Sequence, residues 1–387
     1  MEFLRVLTVG ILVSWVPSMV GGEVMASHLG HIPAIYNFGD SNSDTGGIAA
    51  AFYPMAAPCG ETFFGKPAGR GCDGRLIIDF IAEHMKLPYL SAYLNSIGTN
   101  FRHGANFATG GATIRRQNES WFLNGASPFS LDIQTEQFHQ FKERTTDLYN
   151  QAKKRSKRSN LPRPKDFSKA LYTFDIGQND IAACFRNNMS DEQMRVAIPD
   201  IVDKFAAAVK FLYTEGARVF WVHNTGPIGC LPVAIVGVRN PKPGYLDEQG
   251  CVKGQNDIAM DFNRLLKDKM IQLRTKLPEA AITYVDIYAA KYGLISNAKN
   301  QGFDEAFKIC CGIHENDISI WCGNKGLRNG TEVFGGSCAK PSTSISWDGV
   351  HYSEAANRWV ANQILKGWLS NPHVTNTQAF HKHRDLL

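Results

Sequence analysis

Ile35-Tyr36-Asn37-Phe38-Gly39-Asp40-Ser41-Asn42-Ser43-Asp44-Thr45-Gly46-Gly47 reads as a buried strand that breaks into a tight polar loop. The apolar run 34–38 has strand length, and Gly39-Asp40-Ser41 ends it. An open α/β sheet keeps its ligand crevice outside the carboxyl ends of such strands. A serine there is fixed by the strand behind it and faces the crevice. Alone, the stretch also fits a strand that ends in an Asx turn.

Working outward, further short apolar runs are expected as strands over 104–108, 170–176, 218–223 and 281–286. Between them lie segments with helical spacing, at 76–86, 130–149, 190–216, 255–277 and 353–369. Ser190 and Gln193 form a capping box at the start of the third, and Pro199 is a possible interruption within it. Five alternations without a break in composition predict a single doubly wound three-layer α/β/α domain. Its sheet is expected to be mostly parallel and five-stranded.

Near the other end, Asp348-Gly349-Val350-His351 places a carboxylate three residues before an imidazole. Such a carboxylate can accept from Nδ1–H, fix the tautomer and leave Nε2 to take a proton from a hydroxyl. With Ser41, these are the parts of an activated nucleophile.

Together these motifs resemble the GDSL (SGNH) family of esterases and lipases, in its plant secreted branch. FGDSNSDTGG carries Ser41, GANFATGGATI carries Gly111, FDIGQND carries Asn179, and WDGVHYSEAANR carries Asp348 and His351. The resemblance covers nearly all of the chain after its first residues. It departs at Asn42, where the family name expects leucine, a position that supplies no catalytic atom. It implies a flavodoxin-like SGNH-hydrolase fold, with Ser41 as nucleophile, His351 as base and Asp348 as its orienting acid. The oxyanion hole would comprise the Ser41 and Gly111 amides and the Asn179 side chain, with Gly110 as the alternative glycine.

The implied activity is hydrolysis of a carboxylic ester through an acyl-enzyme, on acetylated sugars, short-chain or natural-product esters, or lipids. No cofactor is required. Acyl transfer through the same intermediate is the enzymatic alternative. A catalytically silent secreted carbohydrate-binding or defence protein is the alternative from another class.

Composition sets the remaining bounds. Hydrophobic content of 44% and charged content of 20% suit a globular protein. Arg5 precedes the apolar run 6–20, which is too short to span a bilayer, and Val24-Met25-Ala26 offers a cleavage site. Residues 1–26 are therefore expected to be a signal peptide, 27–370 the hydrolase domain and 371–387 a loosely ordered tail. The expected location is extracellular, in the apoplast or cell wall. A formal charge of +5 is mild and is no nucleic-acid signature. The run Lys153-Lys154-Arg155-Ser156-Lys157-Arg158 lacks interleaved aromatics and reads as a solvated helix end.

Nine cysteines fit an oxidising compartment. Four bridges are expected, with Cys184 left as the free thiol. Cys59/Cys72 and Cys230/Cys251 each bracket a Gly-rich loop, and pairing among Cys310, Cys311, Cys322 and Cys338 stays open. No ligand set has zinc spacing, so no metal is expected. Asn118, Asn188 and Asn329 are glycosylation acceptors if exposed. His223, Asp180 and Asp286 read as structural.

Overall fold

The computed structural model describes residues 32–117, 127–315 and 318–373. Five parallel strands form the core: β1 (Ile35–Gly39), β2 (Gly104–Asn106), β3 (Leu171–Asp175), β4 (Val219–His223) and β5 (Ala281–Val285). Their order in space is β2-β1-β3-β4-β5, so the winding reverses between β1 and β3. A two-residue antiparallel strand, Ser370–Asn371, adds a sixth at the β5 edge. Two residues carry no alternation. Tertiary contacts place them, including Arg274, which donates to Asn371 Oδ1 at 2.7 Å.

Side-chain alternation along each strand separates two apolar layers. Tyr36, Phe38, Tyr172, Phe174, Phe220 and Val222 face one side, where the helices Leu131–Gln151, Asp191–Thr214 and Lys253–Lys276 cover them. Ile35, Leu171, Val219, Trp221 and Val285 face the other, under Ile77–His84, Ile287–Ser296 and Glu354–Ile364. Rings such as Phe138, Phe205 and Phe262 are fully buried. Each contributes about 2–3 kcal/mol by leaving water.

Ser190 Oγ accepts from the Gln193 N–H and the Gln193 side chain returns to the Ser190 N–H, completing the capping box. The helix passes through Pro199 without ending. Residues past the helix Ile287–Ser296 form two small hairpins, Ile313–Glu315 with Ile318–Ile320 and Lys325–Arg328 with Thr331–Phe334. Most of their residues are exposed, so no buried alternation marks them in the sequence.

Three disulfides are present: Cys230–Cys251, Cys310–Cys338 and Cys311–Cys322. The expected fourth is not. Cys59 and Cys72 are buried free thiols, as Cys184 is, so Cys184 is one of three. The Cys72 sulfur is held in its own turn, 3.1 Å from the Gly74 carbonyl. Among the described residues, no helix is long and apolar enough to cross a membrane.

Candidate active site

Gly39 and Asp175 are register partners at the ends of β1 and β3. A Cβ at Gly39 would come within 2.6 Å of the Asp175 carbonyl oxygen, so only glycine lets the two strand ends approach. The Asp40 N–H donates to that same carbonyl at 3.0 Å. The chain then turns, with the Asn42 N–H and Nδ2 both donating to Asp40 Oδ1 at 2.9 Å. Ser41 sits at the apex, half-buried.

Asp348 and His351 occupy one loop. Asp348 Oδ2 lies 2.6 Å from His351 Nδ1, while Oδ1 accepts the backbone N–H groups of Val350 and His351. Burial disfavours the charged imidazole, but the charge and hydrogen bond of Asp348 outweigh it and hold His351 above its ordinary value. Burial likewise opposes the Asp348 carboxylate, and His351 with the two amides keeps it below the usual range. Nε2 of His351 is buried and has no hydrogen-bond partner among the described residues. In unliganded sites the bond to the nucleophile commonly tightens only with substrate.

Two charges beside Ser41 act on this ring. The charge of Asp40 raises His351, and Lys291, which donates to Asn42, opposes it. Gly71 packs against the ring: a Cβ there would stand 3.7 Å from Nδ1.

Gly111 takes a φ of +75° at the end of the β2 loop. The neighbouring Gly110 N–H donates to Asp44 Oδ2 at 2.8 Å, which removes the alternative glycine as a donor. Asn179 opens the helix Gln178–Arg186 but does not cap it. Gly177 is the N-cap, and Asn179 Nδ2 donates to the Ala112 carbonyl at 3.0 Å. That amide therefore faces the Gly111 loop and keeps a second N–H.

Sequence comparison agrees with this geometry. A profile of the GDSL-like Lipase/Acylhydrolase family matches residues 35–364. The chain belongs to this GDSL family. It is 61% identical over 350 residues to a GDSL esterase/lipase of Arabidopsis thaliana, covering 90% of each chain. A GDSL esterase/lipase of Zea mays is 51% identical, over 91% of this chain and 89% of that one. A protein named alpha-L-fucosidase 3, from Arabidopsis thaliana, is 48% identical over 88% of this chain and 92% of its own. This GDSL protein is a carboxylic ester hydrolase.

Several residues that brace the GDSL loop were not legible in the sequence. Gln134, from the covering helix, donates to the Gly39 carbonyl and accepts from the Gly39 N–H, both at 2.8 Å. Asn37, pointing from β1 into the core, donates to Ser43 Oγ at 3.0 Å and to Asn106 Oδ1 at 2.7 Å. Asp44 accepts from Gly46, Gly47, Ile48 and Gly110, clamping the Ser41 loop to the Gly111 loop. For Gln134 and Asn37 the available signal was polarity at positions where the helix or strand pattern calls for apolar residues; Asp44 sits in a polar loop and carried none.

Other candidates fall where expected. His223 is buried, with Nδ1 on Asp175 at 3.1 Å and Nε2 accepting from Trp221 Nε1 at 2.9 Å, so neither nitrogen is available as a base. Asp286 caps a helix by accepting from Ala289, and Asp180 accepts from Ile114 and Arg115. Among the described residues, Cys230, Asp247 and Cys251 lie close enough to share an ion. Their sulfurs, however, are bonded to each other. Asn188 and Asn329 are exposed; Asn118 lies outside the described residues.

Proposed function

We propose that this GDSL hydrolase cleaves its ester through an acyl-enzyme on Ser41. The observation that carries the reading is the Asp348–His351 pair, whose Nε2 is unpartnered among the described residues and whose imidazole feels the charges of Asp40, which precedes Ser41, and of Lys291, which donates to Asn42. His351 takes the Ser41 proton as Oγ bonds to the carbonyl carbon. The oxyanion is met by the Ser41 and Gly111 N–H groups and Asn179 Nδ2. His351 then returns the proton to the leaving alcohol, and the acyl group stays on Oγ. Water repeats the sequence, releasing the acid and the free serine.

The substrate is an ester of a sugar, a short or natural-product acyl group, or a lipid. A leader-like N-terminus, three disulfides and exposed Asn188 and Asn329 support secretion to the apoplast or wall.

One relative's name favours a second reading, fucoside hydrolysis. Glycosidases ordinarily need two carboxyl groups flanking the sugar. The acids nearest Ser41 on its own and the neighbouring strand, Asp40 and Asp175, are buried, and Asp175 is paired with His223. This supports the ester reading.

A fluorophosphonate should label wild type on the Ser41 peptide and fail on Ser41→Ala at an unchanged melting temperature. The same variant should lose turnover of aryl acetates and longer aryl esters. Labelling that persists in Ser41→Ala would place the nucleophile elsewhere. Aryl fucoside turnover that survives it would favour the second reading.

A further inference from the structure

Lys291 is the single charged residue of the helix Ile287–Ser296, and it is 5% exposed. Its stem lies on backbone: a Cβ at Gly226 would come within 2.9 Å of Lys291 Cδ. An ammonium removed from water costs several kcal/mol unless polar groups meet it. The groups that meet this one belong to the active site. Nζ donates to Asn42 Oδ1 at 3.4 Å and stands 4.6 Å from the centre of the Tyr352 ring. Burial lowers Lys291 below its ordinary value, and the carboxylates of Asp175 and Asp40 oppose this from the strand ends.

Asn42 follows Ser41, and Tyr352 follows His351. One buried cation is thus wedged between residues that adjoin the two groups which must meet. Asn42 cannot turn away freely, because its N–H and Nδ2 both hold Asp40 Oδ1. A buried lysine serving stability alone would be expected on a carboxylate. Among the described residues Lys291 has no ion pair within 4.0 Å, and its hydrogen bond goes to the neutral amide of the nucleophile loop.

We propose that Lys291 is a positioning residue for ester hydrolysis: its ammonium, held between Asn42 and Tyr352, sets the separation of the Ser41 and His351 loops. This rests on Ser41 as nucleophile and His351 as base. Lys291 touches no reacting atom. Its loss lets the loops shift relative to each other, and a displacement near 1 Å is enough to cost about a hundredfold in rate.

The test compares wild type, Lys291→Met, Asn42→Ala and the double variant for kcat and KM on an aryl acetate. Fluorophosphonate labelling rate and melting temperature are measured beside them. Each single variant should lose about ten- to hundredfold in kcat and labelling rate with KM within about threefold. Because both act through one contact, the double variant should be no slower than the worse single. Losses that multiply in the double variant would overturn the proposal. So would a Lys291→Met enzyme that melts earlier yet keeps wild-type kcat and labelling rate.

If Lys291→Met does not fold, Asn42→Ala probes the same contact from the half-buried loop and should show the same loss of kcat. Wild-type kcat in Asn42→Ala would again overturn the proposal. Absence of Ser41 labelling in wild type is a different result, which sinks the nucleophile assignment and this inference with it.

Discussion

Asp348 holds His351 by both ring and backbone: Oδ2 is 2.6 Å from Nδ1, and Oδ1 accepts the His351 N–H at 2.7 Å. One carboxylate therefore sets the loop and the tautomer together. In Asp348→Asn the amide oxygen can still accept the backbone N–H, but Nδ2 cannot accept from Nδ1–H. We expect kcat to fall by about 10³–10⁴ with the fold intact, as for a base held in the wrong tautomer. Steady-state kinetics beside a melting curve check this; a loss below tenfold would mean that Asp348 serves the loop alone.

The same pair sets the pH dependence. His351 must be neutral to accept a proton, and Asp348 raises it above its ordinary value despite burial. Activity should therefore rise with pH through a titration above about 6.5, the unperturbed histidine value. In Asp348→Asn the raising charge is gone and burial remains, so the residual activity should titrate at lower pH. Profiles of kcat/KM for both enzymes decide it, and an acid limb that moves upward in the variant would contradict the assignment.

Asn179 is not the cap of its helix, since Gly177 occupies that position and Asn179 Nδ2 points to Ala112. Losing that hydrogen bond should cost stability only about 1 kcal/mol. Losing an oxyanion donor should cost about 10²–10³ in kcat with KM little changed. Asn179→Asp should be at least as slow as Asn179→Ala, because a carboxylate would face both the Ala112 carbonyl and the developing anion. Near-normal kcat in both would leave the oxyanion to backbone amides.

Cys230 and Cys251 close a loop across a separation of 21 residues. Chain-entropy reasoning gives that cross-link about 3 kcal/mol. Cys230→Ala/Cys251→Ala should lower the unfolding free energy by this order in a denaturant titration. Non-reducing peptide mapping should find the three bridges and leave Cys59, Cys72 and Cys184 alkylatable after unfolding. A Cys184 bridge would refute the pairing.

The strands were legible because β1, β3, β4 and β5 send apolar side chains into both layers, which leaves a short apolar run in the sequence. The missed hairpins at 313–334 and the strand at 370–371 are too short and too exposed, or too dependent on a neighbour, to carry that signal.

By itself, the sequence determined the interactions that chain geometry makes local. Asp348 and His351 are three residues apart, so any chain that turns at Gly349 can join them. Ser41 follows the end of an apolar run, so its place at the crevice comes with the strand. The partners of that loop had to wait for the fold. Gln134 grips Gly39 across 95 residues, Asp44 reaches Gly110 across 66, and Lys291 reaches Asn42 across 249. The tertiary structure also decided which cysteines pair and that Asn179 faces Ala112 instead of capping its helix. Such contacts depend on which helix covers which strand and at what rotation. Side-chain packing over the whole sheet settles that, and no spacing along the chain encodes it.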